Sequence, residues 1–191
     1  MDYNLIIKDF DHNISGYVEQ LKEKIKDITF DSGKSVQFTI SKDLNSKSLF
    51  EYKKKQGVYL FELNLDSPVF MEKKRPTRIK NFAESWAKKK NDSFFSSSVI
   101  KKRLKTHENF DKEWLPLYIG KSKDLYKRIS EHIELSSTSN TYAMKLKHRQ
   151  NLEGVEFRFT TLEFDVDNYD FIIPYVERSL REEYHPLVGK Q

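Results

Sequence analysis

The chain has 191 residues, a formal net charge of +5 and no cysteine. Hydrophobic residues make up 37% and charged residues 33%, a composition typical of a polar globular protein with enough apolar side chains for a core. The lack of cysteine excludes disulfides and thiolate metal sites. No apolar run approaches the roughly 18 residues of a membrane span. Residues 1–5 also lack the features of a signal peptide, so we expect a cytoplasmic protein without a membrane partner.

Residues 1–50 are predicted to form an N-terminal appendage. A helix is expected after Asn13, which can serve as its N-cap, because apolar residues recur at helical spacing from Ile14 to Ile28. The alternation over Val36–Ile40 predicts a strand. A second, short helix is expected over Ser48–Lys55.

Residues 51–191 are predicted to form the main domain. Its three expected strands are Gly57–Leu65, Leu115–Gly120 and Val155–Phe164. Asp124 can cap the following helix, whose inward stripe is Leu125, Ile129 and Ile133. We also expect a basic helix over Tyr142–Arg149 and a last helix after Pro174. The expected fold class is α/β (α+β), with three strands and helices packed on them.

The positive charge is concentrated in residues 68–113, which carry 13 Lys+Arg and 6 Asp+Glu, whereas residues 1–67 and 114–191 each have a net charge of −1. This block is long for a loop, and Ile79, Phe82 and Trp86 predict a helix that begins near Thr77, so we expect an inserted helical subdomain. Its lysines form either a solvated helical surface or a contact surface for a polyanion. The candidate DNA-binding residues are Lys88, Lys89, Lys90, Lys101, Lys102 and Arg103.

Glu177 is the most diagnostic single residue, because it lies on the same side of the last helix as an apolar stripe. A carboxylate that faces a core costs several kcal/mol unless a cation or hydrogen bonds compensate it. It is therefore either half of an internal ion pair or a metal ligand. Arg128 and His132 are four residues apart and project from one edge of a helix, as part of a solvated face or toward a bound phosphate.

Two tyrosines on predicted strands complete the set, each of which could also be an ordinary half-buried aromatic. Tyr59 ends Gly57-Val58-Tyr59, and Tyr118 begins Tyr118-Ile119-Gly120-Lys121. In their order and local spacing, these segments, the arginine ten residues after Tyr118 and the late glutamate resemble the GIY-YIG nuclease superfamily. The stretch from Tyr118 to Arg128 is similar to the incision domain of bacterial excision-repair nucleases. The interval from Arg128 to His132 is similar to that in GIY-YIG restriction endonucleases.

The resemblance covers residues 55–66 and 115–190 and implies a three-stranded, mainly antiparallel sheet flanked by helices. It also implies DNA cleavage with one divalent ion per active site, Mg²⁺ or Mn²⁺. Carried over residue by residue, Glu177 would be the metal ligand and Tyr59 the general base or the group that positions the attacking water. Tyr118 would orient phosphate or water, Lys121 would assist the Tyr59 phenol, Arg128 would contact the scissile phosphate and His132 would be an auxiliary group.

The function implied by the resemblance is a metal-dependent endonuclease that hydrolyses duplex DNA. An insertion inside the catalytic domain is more typical of restriction enzymes, which favours site-specific cleavage and a homodimer on DNA. Two alternatives stay open: a structure-specific, repair or mobile-element nuclease of the same superfamily, and a DNA-binding module with a decayed site. The second remains because Pro186 is followed by Leu187-Val188-Gly189-Lys190, without the asparagine that family members often carry there.

Overall fold

A computed structural model describes residues 2–71, 74–88, 99 and 101–189. Its helices and strands, in chain order, are α1 (Tyr3–Lys24), β1 (Lys34–Thr39), β2 (Gly57–Asn64), α2 (Arg75–Lys88), α3 (Lys101–Thr106), β3 (Trp114–Ser122), α4 (Leu125–Glu134), β4 (Glu156–Glu163) and α5 (Tyr169–Tyr184). Short 3₁₀ turns connect several of them.

The four strands form one antiparallel sheet in the order β1-β4-β2-β3. The fold is therefore α+β, as expected, but the prediction of a three-stranded sheet is wrong. The strand predicted over Val36–Ile40 is the fourth one, because Lys34–Thr39 pairs along β4 and supplies the hydrogen bonds that the outer side of β4 needs. Residues from the first 50 thus belong to the central sheet.

Each face of the sheet has its own hydrophobic core. Because side chains alternate along a strand, Tyr59, Phe61 and Leu63 of β2 face one core, and Val58 and Leu60 face the other. The first core is covered by α2 and α4, and the second by α5 with residues 25–30. All eight residues of β2 are buried, so the GVY segment lies in the centre of the molecule.

The helices that border the candidate site follow the sequence closely. Asp124 caps α4 by accepting a hydrogen bond from the Lys127 amide, at 3.2 Å. The predicted stripes of α4 (Leu125, Ile129 and Ile133) and α2 (Ile79, Phe82 and Trp86) are confirmed, because all six residues are buried. In the stripe predicted for α5, Ile173, Val176 and Leu180 are buried and Tyr184 is half-buried. In α5, Pro174 lies inside the helix rather than before it.

Three helix predictions need correction. The first helix begins at Tyr3 instead of after Asn13, with Asp2 as its N-cap. The helix predicted over Ser48–Lys55 is a 3₁₀ turn at Ser46–Ser48 and an irregular segment that leads into β2. The helix predicted over Tyr142–Arg149 is interrupted because Lys145 adopts a left-handed backbone conformation, with φ of 54°, and only short 3₁₀ turns follow.

None of the helices in the described ranges combines the length and the apolar composition that a bilayer crossing requires. Within the predicted basic insertion, α2 and α3 lie between β2 and β3 along the chain. Lys89, Lys90 and the serine-rich segment lie outside the described residues.

Removal of the Phe38 ring tests whether β1 is an integral part of the fold. Phe38 is buried, and its ring centroid lies 5.9 Å from that of Phe157 and 6.1 Å from that of Phe159. We expect Phe38→Ala to lower the free energy of unfolding by about 3–5 kcal/mol, as for other buried phenylalanines. The adjacent Gln37 is exposed, so Gln37→Ala should change it by less than about 0.5 kcal/mol. Equal stability of the two variants in urea denaturation would show that β1 is dispensable.

Candidate active site

The pairing of β2 with β3 brings the two motif tyrosines onto one face of the sheet. Tyr59 pairs with Gly120, and Phe61 pairs with Tyr118. The register shifts between Phe61 and Glu62, so that Glu62 pairs with Pro116 and one extra residue of β3 is accommodated. This bulge keeps Tyr118 on the face of Tyr59, and the two ring centroids lie 6.1 Å apart.

Gly120 makes room for the Tyr59 ring. A Cβ atom at position 120 would lie 2.5 Å from Tyr59 Oη and 2.7 Å from Tyr59 Cζ, well inside van der Waals contact. The glycine of the YIG segment is therefore required by the close approach of the phenol across the strand pair. Gly57 is constrained in a similar way, because a Cβ there would lie 2.0 Å from the Leu162 carbonyl oxygen.

His132 of α4 connects the phenols to the helix. Its Nδ1 accepts a hydrogen bond from the Met144 amide at 3.0 Å, so this nitrogen carries no proton. The proton of the neutral ring is therefore on Nε2, which donates to Tyr59 Oη at 2.8 Å. The Tyr59 hydroxyl keeps its own hydrogen for a different acceptor. The His132 ring also lies near Tyr118, with centroids 4.9 Å apart.

The surroundings favour the neutral form of both Tyr59 and His132. Burial lowers the pKa of His132 well below its usual value, and the positive charge of Arg128 lowers it further. Burial also raises the pKa of Tyr59 well above its usual value, although Arg128 acts in the opposite direction. At neutral pH the pair is thus an imidazole that donates to a protonated phenol.

Arg128 lies at the border between this buried pair and solvent. It is one turn before His132 on α4, and its Nη1 lies 2.6 Å from Glu131 Oε2. The side chains of Arg128 and Glu131 are 22% and 28% exposed, so a molecule from solvent can reach them. Burial raises the pKa of both Tyr59 and Tyr118, and the guanidinium lies close enough to each phenol to oppose that rise.

Glu177 and Lys121 meet on the opposite face of the sheet. Lys121 pairs with Val58 along the strands, so its side chain points toward α5 while Tyr59 points away from it. The Lys121 ammonium forms a short ion pair with Glu177 Oε2, and Arg181 Nη1 lies 3.8 Å from Glu177 Oε1. The contact partner of Lys121 in the structure is therefore Glu177, and not the Tyr59 phenol.

The two faces come together around β3, which is the edge strand of the sheet. Burial raises the pKa of Tyr118, Arg128 from one face and Arg181 from the other lower it, and Glu177 raises it further. These charges are thus near enough to Tyr118 to act on it. The edge strand lets one half-buried phenol interact with groups from both sides of the sheet.

A C-terminal segment runs along the same edge. The amides of Leu187 and Val188 donate to the carbonyls of Pro116 and Leu117, at 3.0 and 2.8 Å. A Cβ at Gly189 would lie 3.5 Å from Arg181 Nη2 and 3.6 Å from Tyr118 Cε2, so the segment passes beside both side chains. The positions after Pro186 are therefore occupied by an extended apolar segment.

Helix α3 of the basic insertion docks on this segment. Arg103 Nη1 donates to the Pro186 carbonyl at 2.6 Å, and the His107 ring is 2.8 Å from the His185 carbonyl. Lys101 and Lys102 are exposed on the same helix. Of the six predicted DNA-binding residues, Arg103 thus has a partner within the protein, while Lys101 and Lys102 face solvent. Lys88 ends α2, and Lys89 and Lys90 lie outside the described residues.

Arg149 and Trp86 form a stacked pair next to Met144, the residue whose amide bonds His132. Arg149 is buried, its Nε donates to the Met144 carbonyl at 2.9 Å, and its guanidinium carbon lies 3.5 Å from the centre of the Trp86 ring. Trp86 of α2 is therefore linked through Arg149 to the carbonyl of Met144, the residue whose amide bonds His132.

Sequence reasoning missed two groups at this site. Arg181 could have been found, because it lies four residues after Glu177 and thus on the same helix face. The Met144 amide could not, since a backbone donor leaves no signal in the sequence. The other predicted residues form two contacting sets: Tyr59, Tyr118, Arg128 and His132 on one face, and Lys121 and Glu177 on the other.

Searches of protein-family models, of curated proteins and of solved structures found no match to this chain. The arrangement of the site is therefore interpreted from its own chemistry.

Gly120→Ala tests the close approach of Tyr59. The added methyl would overlap a buried ring that cannot move away, so we expect the free energy of unfolding to fall by about 1–3 kcal/mol. Gly16 provides a control of opposite sign, because it lies in α1 with no atom within 4 Å of an added Cβ. Gly16→Ala should stabilise by up to about 1 kcal/mol through helix propensity. Chemical denaturation of both variants would measure these changes, and unchanged stability of Gly120→Ala would contradict the geometry.

The neutral state of His132 predicts a pH dependence of stability. The pKa of His132 is lowered in the folded state, so below about pH 6.5 this imidazole is protonated in the unfolded chain but stays neutral in the folded chain. The free energy of unfolding should therefore fall as the pH drops below that value, by up to about 1.4 kcal/mol per pH unit. His107, whose pKa burial also lowers, contributes with the same sign.

We expect His132→Gln to reduce this loss of stability between pH 7.5 and pH 5 without abolishing it, because His107 remains. Denaturant midpoints at the two pH values give the measurement. His148 is exposed and serves as the matched control, since His148→Gln should leave the difference between the two pH values unchanged. A His132→Gln variant with the full wild-type pH dependence would mean that the folded protein does accept a proton on this ring.

Proposed function

We propose that the chain is a metal-dependent DNA endonuclease of the GIY-YIG type, which hydrolyses phosphodiester bonds in duplex DNA. The observation that supports it is the arrangement of groups on the two sides of one edge strand, with two phenols and the Arg128 guanidinium on one face and the Glu177 carboxylate on the other, near enough to Tyr118 to act on it. A phosphodiester gains negative charge as it is attacked, and fixed cations and hydroxyl donors can stabilise that charge.

Cationic side chains outnumber the acid at this edge. Lys121 and Arg181 flank Glu177, and Arg128 lies beside the phenols. Arg103 is also close: burial lowers the pKa of Arg103, and the charge of Arg181 lowers it further. In the free protein Arg128 pairs with Glu131, and both side chains are partly exposed. Such a pair contributes little to stability, so a phosphate oxygen can replace the carboxylate at small cost. Arg128 would then hold the scissile phosphate.

The residues present fit a single hard divalent cation. Among the described residues, no three His, Cys, Asp or Glu side chains gather into a metal-binding group. One carboxylate, with phosphate oxygens and water, is nevertheless an ordinary environment for Mg²⁺. Glu177 already attracts cations, since the Lys121 ammonium lies against one of its oxygens. Glu177 would hold the ion, which when bound would neutralise phosphate charge and stabilise the leaving 3′ oxygen.

Tyr59 acts in this proposal as a protonated hydrogen-bond donor. Its raised pKa makes the phenolate scarce at neutral pH, and the bond from His132 Nε2 occupies the hydroxyl oxygen. The hydroxyl hydrogen therefore points away from the imidazole, where it can orient a phosphate oxygen or the attacking water. His132 fixes this orientation and is a positioning residue. Tyr118, which is less buried, would contact the phosphate from the outer side of the strand.

DNA contacts outside the site are assigned to the basic insertion. Lys101 and Lys102 are exposed on α3, which docks on the segment that borders Tyr118, so a duplex at the site would pass close to them. Lysine contacts with phosphates add affinity but carry no base sequence. A site-specific, restriction-type enzyme is the proposed form, and a structure-specific nuclease of the same type is the alternative.

Replacement of the carboxylate tests the reaction directly. We expect Glu177→Gln to abolish Mg²⁺-dependent cleavage of a sequenced plasmid while DNA binding is retained or strengthened, because a negative charge near the phosphate is lost. Glu182 is exposed on the same helix, and Glu182→Gln should leave cleavage unchanged. Agarose gels and end-mapping would report cleavage, and fluorescence anisotropy with a labelled duplex would report binding.

The products distinguish the forms of the proposal. Discrete plasmid fragments from the wild-type protein would support a site-specific enzyme, whereas nicking of a branched substrate alone would support a structure-specific one. Salt-sensitive binding with no metal-dependent cleavage of either substrate would overturn the nuclease proposal. Full activity of Glu177→Gln would overturn the assignment of the carboxylate.

A further inference from the structure

Helix α1 exposes an unusual number of large apolar side chains. Every residue from Asp2 to Asn13 is exposed, and no residue of the helix is buried. The exposed fractions of its large apolar residues are 75% for Tyr3, 68% for Leu5, 51% for Ile6, 65% for Ile7, 64% for Phe10 and 68% for Tyr17. Leaving so much apolar surface in water is unfavourable, so a helix of this kind is expected to have a partner.

Most of these residues follow a regular repeat. Counted along the helix, apolar side chains recur at alternating intervals of four and three residues, at Tyr3, Ile7, Phe10, Ile14, Tyr17 and Leu21. This is the spacing of a coiled-coil seam, with branched Ile7, Ile14 and Leu21 at one position of the heptad and aromatic rings at the other. We call these six residues the α1 seam.

The seam begins on the body of the protein and extends beyond it. Leu21 is half-buried and packs against the second core, in which Ile173 and Val176 of α5 lie. Toward the N-terminus, Ile14 is only partly covered, and Phe10, Ile7 and Tyr3 are exposed. The protein's own core thus covers only the end of a seam that is about three heptads long.

We infer that the α1 seam is a dimerisation surface and that its partner is α1 of a second copy of this chain. A seam with a 4-3 repeat is complementary to itself, because its side chains fit between those of an identical helix. The positions that would flank the contact are mostly uncharged: Asn4, Ile6, Asp11, Asn13, Val18 and Gln20. Rows of like charge that would hold two copies apart are therefore missing from this part of the chain.

The available area is close to the lower limit for a specific dimer. Aromatic side chains each bury about 150–250 Å², so the exposed parts of Tyr3, Phe10 and Tyr17 offer roughly 400 Å² per copy. The exposed isoleucines add to this, and two copies approach the roughly 1,200 Å² at which stable interfaces begin.

The charge of residues 2–20, which hold every seam residue except Leu21, argues against a polyanionic partner. Residues 2–20 contain four acids, Asp2, Asp9, Asp11 and Glu19, against the single Lys8. An amphipathic helix that binds anionic lipid, or a helix that binds DNA, carries the opposite excess. The inference does not depend on the proposed nuclease activity, although a dimer would supply one site for each DNA strand.

Two substitutions of matched size and exposure test the inference. Ile7 lies in the seam and Leu5 lies two residues away on the other side of the helix, and the two are 65% and 68% exposed. We expect the full-length protein, free of DNA, to sediment as a concentration-dependent dimer. Ile7→Glu should raise the dimer dissociation constant by about a hundredfold, as expected for a central apolar contact, and Leu5→Glu should leave it within a few-fold of wild type.

Analytical ultracentrifugation gives the dissociation constants, and far-UV circular dichroism shows whether each variant keeps its fold. Because both side chains are exposed, neither charge enters a core. A monomeric wild-type protein would overturn the inference, and so would a folded Ile7→Glu variant that dimerises as tightly as wild type. Equal weakening by Ile7→Glu and Leu5→Glu would also overturn it, because the contact would then not follow the seam. None of these outcomes bears on cleavage, which is measured separately.

Discussion

The hydrogen bond between His132 Nε2 and Tyr59 Oη, at 2.8 Å in the protein interior, ties the central strand of the sheet to α4. Its direction is set by the Met144 amide, which occupies Nδ1 and leaves only Nε2 to carry the proton. A charged imidazole would bring two N–H donors against each other in the buried interior. Burial keeps both groups neutral, the bond fixes the phenol, and Tyr118 and Arg128 lie around that fixed ring.

Charged side chains from β3, α4 and α5 lie beside the edge strand, around this neutral pair. Glu177 is 14% exposed and has a cation on each side, Lys121 and Arg181. A carboxylate in that position attracts positive charge, whereas the guanidiniums around it attract anions. The proposed substrate, a phosphodiester with a bound divalent ion, would bring an anion and a cation together beside these groups. The partial exposure of Arg128 and Lys121 gives such a substrate a way in.

Local patterns in the sequence predict much of this arrangement. The stripes of α2, α4 and α5, the Asp124 cap and the strands with the two tyrosines follow from spacing and chemistry, because each depends on residues a few positions apart. The fourth strand, the bulge beside Tyr118 and the pairing of Lys121 with Glu177 do not. They depend on register between distant segments, and shifting a strand by one residue exchanges its two faces. A reading of residue types alone could not decide whether Lys121 pointed toward Tyr59 or toward α5.

The stack of Arg149 on Trp86 has a consequence for protein engineering. Trp86 belongs to the basic insertion, yet it stacks on Arg149, which bonds the carbonyl of Met144, and the amide of Met144 bonds the imidazole that holds Tyr59. The insertion thus contributes to the packing around the site in addition to carrying exposed lysines. Replacing the segment between β2 and β3 with a foreign one would remove the ring on which Arg149 stacks. The new segment would therefore need an indole in the position of the Trp86 side chain.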